Sequence, residues 1–138
     1  MNKFKMIAAA LASTVAFASP VFAGWTKAAT GTAIGVNSGD TYYIDFDTVK
    51  ENNGYVHYWE LVNYLKPTES GKLSAKALNE VDCDIPRKYR HLSFVFYKQP
   101  MGGGNGDDFK NPSDEWWYPT PDMPDETMTN AACDYAGK

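Results

Sequence analysis

The sequence predicts an α+β fold that is mainly β, with one helix at its C-terminal end. Three observations carry this. Apolar and polar residues alternate with period two through several segments rich in Tyr, Val, Ile, Trp and Phe, the pattern of partly buried strands. Apolar spacing of the helical kind is found near the C-terminus, after Pro119 and Pro121. The two cysteines, Cys83 and Cys133, fall at the end of one strand segment and inside that helical stretch.

Residues 25–29 and 32–36 are short extended candidates, and Asn37-Ser38-Gly39-Asp40 is a turn signal. Residues 41–45, with Tyr42, Tyr43 and Ile44, form the next strand. Residues 55–65 divide into two rows, Tyr55, His57, Trp59, Leu61, Asn63, Leu65 and Val56, Tyr58, Glu60, Val62, Tyr64. Neither row is purely polar, as in a central strand covered on both faces. Residues 73–83 contain good helix formers, yet period two separates Leu73, Ala75, Ala77, Asn79, Val81 and Cys83 from Ser74, Lys76, Leu78, Glu80 and Asp82. That separation predicts a strand. Residues 90–98 repeat the pattern with Leu92, Phe94 and Phe96 on one row. The glycine-rich run 100–106 then predicts a hairpin tip, with the chain returning through Trp116, Trp117 and Tyr118. Pro124, Asp125 and Glu126 suit the first turn of a helix and Gly137 its stop, with Met128, Ala131, Ala132 and Tyr135 as an apolar stripe.

Composition bounds what such a domain can be. With 138 residues, 43% hydrophobic and 14% aromatic, the chain is one ordinary domain and not a disordered, collagenous or coiled-coil polypeptide. A net charge of −4 argues against nucleic acid as a partner, because phosphate binding relies on clustered Lys and Arg. Lys3 and Lys5 precede an uncharged apolar run, and Val21 and Ala23 fit a cleavage site before Gly24, so residues 1–23 read as a secretory signal peptide. The run is too short to serve as a transmembrane segment. Cleavage leaves residues 24–138 as one domain with a net charge of −6. No cysteine precedes Cys83, so there is no lipoprotein acceptor, and an exported soluble product, periplasmic or secreted, is expected. Export favours a Cys83–Cys133 disulfide, which would pin the helix onto the small-residue row of Ala75 and Ala77. Two free thiols or an intermolecular bridge are the alternatives.

Chemistry-bearing motifs are few. Gly103-Gly104-Asn105-Gly106-Asp107-Asp108 opens like a calcium-binding nonapeptide, but Lys110 stands where an apolar residue belongs and there is a single copy. It reads as a flexible tip. His57 and His91 lie on separate strands without metal-ligand spacing, and no nucleophile elbow or phosphate loop occurs. No enzymatic activity, metal or cofactor is expected. Charge is uneven, with seven bases to four acids between Lys66 and Lys98 and eight acids to two bases from Asp107 onward. Arg87, Lys88 and Arg90 form a basic cluster around Tyr89 that could steer a sulfated glycan or an acidic protein segment. Trp116 and Trp117 point to opposite faces if extended, so one packs inward and the other is a candidate binding anchor. These five residues are the candidate partner-binding set. An uncovered sheet face or edge would favour a homodimer.

The order Gly24-Trp25, Tyr42-Tyr43-Ile44-Asp45, Val56-x-Tyr58-Trp59, Ser74-Ala75-Lys76, Glu80-Val81-Asp82-Cys83, Pro100-Met101-Gly102-Gly103-Gly104, Trp117 and Cys133 resembles the surface-adhesin protein E family across nearly all of residues 24–138. The resemblance implies a single antiparallel sheet of about six strands with a C-terminal helix held to it by the disulfide. It also implies adhesion, since the best-known members are displayed on Gram-negative cells and bind host extracellular-matrix and serum proteins, although many relatives have no assigned role. The chain differs from lipid-anchored adhesins in lacking the acceptor cysteine. The expected function is therefore that of an exported binding module for a surface protein or glycan. The alternative is a soluble periplasmic envelope protein that binds a small ligand or partner and has no adhesive role.

Overall fold

The structure, a computed structural model, describes residues 24–31, 39–109 and 114–138. The expected leader at 1–23, the extended candidate at 32–36 and the first half of the 37–40 turn lie outside the described residues. Six strands follow in order: β1 (Trp25–Gly31), β2 (Asp40–Asn52), β3 (Tyr55–Asn63), β4 (Ser74–Asp82), β5 (Lys88–Tyr97) and β6 (Gly106–Phe109). Each pairs antiparallel with the next, giving one meandering sheet, and helix α1 (Pro124–Tyr135) completes the fold.

The segment whose composition suits a helix is strand β4. Its row Ala75, Ala77, Asn79 and Val81 is wholly buried and lies opposite Val62, Glu60, Tyr58 and Val56 of β3. Burial of a whole row outweighs helix-propensity differences of about 0.7 kcal/mol or less per residue.

β2 extends well past the predicted 41–45 because two local features carry it onward. At its end, Asn53 and Gly54 adopt positive φ of 52° and 83°, the pairing that a two-residue type I′ turn requires. Within it, the register with β3 shifts between Asp45 and Lys50. The Thr48 hydroxyl donates to the Asp45 carbonyl at 2.6 Å and accepts the Trp59 amide at 3.0 Å, holding this bulge together.

The hairpin tip closes earlier than predicted. Met101 and Gly102 turn left-handed at φ 56° and 69°, and the strand returning along Phe94–Tyr97 is Gly106–Phe109 rather than the Trp116–Tyr118 segment. Trp117 instead meets Tyr89 through two backbone hydrogen bonds of 2.8 Å, an isolated bridge near the start of β5.

One sheet face carries the core. Tyr42, Ile44, Val56, Tyr58 and Val81 pack against Met128, Ala132 and Cys133 of α1. The expected Cys83–Cys133 disulfide is present and closes a separation of 50 residues. The helix lies chiefly over β1, β2 and β3, not over the Ala75–Ala77 row. Tyr135, expected in the apolar stripe, is exposed and rests on Phe46 at 4.9 Å. Two residues along a helix turn about 200°, so a cysteine facing the sheet sends Tyr135 outward.

Candidate binding surface

The basic cluster of the sequence is divided by the alternation of β5. Lys88 and Arg90 lie opposite Asp82 and Glu80 of β4, on the face away from α1, whereas Tyr89 lies opposite the core residue Val81. The Arg90 guanidinium reaches Glu80 at 2.7 Å and lies 3.8 Å from Asp114, while Lys88 is 3.9 Å from Asp82. Both cations also lie over the Trp116 ring, at 5.0 Å for Lys88 and 4.5 Å for Arg90, and Tyr55 packs on it at 5.2 Å. Their charge is largely matched within the protein, which weakens long-range steering of an acidic partner.

Arg87 serves the C-terminal helix. It donates to Asn130 Oδ1 at 2.8 Å, to the Lys138 carbonyl at 3.3 Å and to the Cys83 carbonyl at 3.4 Å, with Asp134 at 3.8 Å. The planar fork thus ties the strand end beside the disulfide to α1. Arg87→Ala is expected to cost about 2 kcal/mol in chemical unfolding, and Arg87→Lys to recover little, because a single ammonium cannot reproduce the fork.

The aromatic pair separates as alternation requires. Trp116 is half-buried beneath the two cations, while Trp117 is 49% exposed. Two further exposed residues lie outside the candidate set. Tyr118 is 66% exposed, and Ile85, in the turn leading into β5, is 83% exposed. Ile85 had a usable signal, since an isoleucine followed by a proline between two strands stands in a turn.

Along the core-side face of the sheet runs a polar chain that neither histidine spacing nor motif matching reveals. His91 Nδ1 donates to Asn79 Oδ1, and the Asn79 amide donates to Glu60 at 2.8 Å. The Tyr58 hydroxyl also faces Glu60, at 3.5 Å. Burial pushes the Glu60 carboxyl up from 4.5 to about 7, against the opposing effect of the Asn79 hydrogen bond. Burial pushes His91 down from 6.5 to about 4. His57 is placed differently, on the far face, with Nε2 2.6 Å from Glu80.

A hollow of about 340 Å³ opens beside β6, lined by Thr68, Ser70, Lys72, Phe96, Asp107, Asp108 and Phe109. Lys72 is hydrogen-bonded to Asp107 and holds its carboxyl below the usual range. Among the described residues, no group of three or more His, Cys, Asp or Glu is arranged to hold a metal ion, and no helix is long and apolar enough to cross a membrane.

The family model described as surface-adhesin protein E matches residues 25–134. Comparison with curated proteins gives no significant match. Among solved structures, the chain is similar to Haemophilus influenzae protein E in its crystal form II, with 23% sequence identity and a TM-score of 0.56 over 82% of this chain and 99% of that one. That likeness supports the fold, and the family match covers most of the chain. A surface-adhesin family implies an exported or surface protein. The sheet, the disulfide-held helix and the matched span together lead to one assignment: the chain belongs to the surface-adhesin protein E family.

Proposed function

We propose that the protein is an exported, non-enzymatic binding module that engages a surface protein or glycan through the region around the start of β5. The observation that carries this reading is the exposure of Trp117 and Tyr118 where Trp117 bridges Tyr89 near the start of β5, together with that of Ile85 in the turn before that strand. Large apolar side chains left in water are suited to anchoring a partner. Trp117 is held by its backbone bridge to Tyr89, so little ordering cost attends its use. Export rests on the leader-like residues 1–23, and the absence of an acceptor cysteine favours a soluble periplasmic or secreted product.

Saturable binding to immobilised matrix proteins or glycans is the expected result for the purified protein. Combining Trp117→Ala with Tyr118→Ala should weaken that binding at least about tenfold without lowering the melting temperature. Full affinity in the double variant would move the contact elsewhere on the molecule. The hollow beside β6 supports the second reading, a periplasmic protein that takes a small ligand between Phe96 and Phe109.

A further inference from the structure

On the sheet face turned away from α1, we infer a binding site for a sugar bearing a carboxylate or sulfate, built from Lys76, Trp25 and Tyr97. Five lysine or arginine residues are half-buried among the described residues: Lys72, Lys76, Arg87, Lys88 and Arg90. Four of them have a carboxylate within ion-pairing reach, on Asp107, Asp134, Asp82 and Glu80 respectively. Lys76 has none. Its ammonium instead lies over two aromatic rings, 5.8 Å from the centroid of Trp25 and 5.2 Å from that of Tyr97. Ring faces attract a cation but do not occupy its N–H donors as an anion does.

The cation is also held in place. A Cβ built on Gly102 would come within 2.6 Å of Lys76 Cε, so the Gly102 turn lies directly against the lysine stem. That turn is fastened to the sheet. The Met101 amide donates to Asn63 Oδ1 at 2.9 Å, the Gly102 amide to Ser74 Oγ at 2.8 Å, and the Ser74 hydroxyl to the Gln99 carbonyl at 2.6 Å. A cation fixed before the ligand arrives loses little freedom on binding.

The surroundings indicate which anion fits. Lys76, Leu61, Tyr43 and Lys27 form one cross-strand row, placing a second, exposed lysine on the same face. A pyranose ring can rest its C–H face on an aromatic face while an acidic substituent reaches the ammonium. Acids limit the charge density accepted, because Asp45 lies opposite Trp25 and Asp108 lies two strands from Lys76 along the same row. The protein is itself acidic, with a net charge of −4. A chain in which acidic and neutral sugars alternate therefore suits this face better than a densely sulfated polymer. The site is separate from the Ile85, Trp117 and Tyr118 surface and does not depend on it.

The test is calorimetric titration of the purified full chain with a tetrasaccharide alternating glucuronate and N-acetylglucosamine, with its carboxyl-reduced neutral counterpart, and with a sulfate-for-carboxylate analogue. Saturable binding of either acidic sugar, at least about tenfold tighter than the neutral one, is expected, and the preferred acid identifies the source of the anion. Lys76→Met retains the stem and should reduce affinity roughly tenfold with an unchanged melting temperature, while Lys76→Arg stays within about threefold of the parent. Lys66→Met removes the same charge from an exposed site and should change nothing. Trp25→Leu provides an independent variant, expected to weaken binding through lost stacking. Absence of saturable binding by either acid, unchanged affinity in Lys76→Met, or equal loss in Lys66→Met would overturn the site. Trp117→Ala with Tyr118→Ala should leave sugar binding intact, which separates this result from the fate of the protein-facing surface.

Discussion

Replacing Cys83 or Cys133 with serine is expected to lower the unfolding free energy by about 4 kcal/mol, the chain-entropy value for a loop of 50 residues. The loss should concentrate on α1. The six strands retain their own pairing, whereas the helix meets the sheet through a short buried set, chiefly Met128, Thr129, Ala132 and Cys133. Limited proteolysis of the serine variants, or of the reduced protein, should therefore cut within or before α1 while the strand signal in far-ultraviolet circular dichroism persists. Equal protease resistance of the reduced and oxidised forms would refute this division of labour. Arg87 is the remaining clasp at that end, so combining Arg87→Ala with a cysteine variant should release the helix more completely than either change alone.

The second large effect concerns Glu60, where the direction of the pH dependence is specific. The folded carboxyl titrates near 7, above its ordinary value of 4.5, so its contribution to stability is fully present below about pH 4.5 and is lost as pH rises through 7. The difference corresponds to a loss on the order of 3 kcal/mol above neutrality. His91 behaves in the opposite sense. Its folded value near 4 lies below 6.5, so its contribution is present above 6.5 and disappears as pH falls through 4. Between about pH 4.5 and 6.5 the two slopes oppose each other, and these groups leave stability nearly flat.

Glu60→Gln can still accept the Asn79 amide and the Tyr58 hydroxyl at its amide oxygen, but it has no charge to bury opposite Asp125. Urea unfolding should show the variant more stable than the parent by up to about 3 kcal/mol at pH 8 and nearly equal to it at pH 4. Its stability should then fall as pH decreases from 6.5, because the His91 slope is no longer offset. A gain of the same size at both pH values would show that packing, not ionisation, is responsible.

Much of the architecture is written locally in the sequence. Period two is enough to make β4 a strand against its helix-favouring composition, because all its core-side positions find partners on β3. The end of β2 follows from a different signal. Asn53-Gly54 marks a type I′ turn, while the polar stretch before it conceals the strand from a search for alternation. The return strand is harder to see, because Gly106-Asp107-Asp108-Phe109 is short, acidic and exposed. At the candidate surface, Arg87, Lys88 and Arg90 form a cluster in sequence, but strand geometry sends one to the helix and gives the others carboxylates from β4. Those carboxylates are brought in by register, which a linear charge count does not contain. The Glu60, Asn79 and His91 chain crosses three strands and is likewise invisible until the strands are aligned.

The meandering strand order has a consequence for assembly. Every strand partner is its neighbour along the chain, so the sheet is built from pairings of low sequence separation that can form hairpin by hairpin. The helix is the exception, returning from the C-terminal end to lie over β1, β2 and β3. Loop-closure entropy therefore falls mainly on this last docking step, and oxidation of Cys83 with Cys133 converts a slow, reversible tertiary contact into a covalent one. Such a topology favours pairing of the strands ahead of helix docking, with the disulfide then securing the helix.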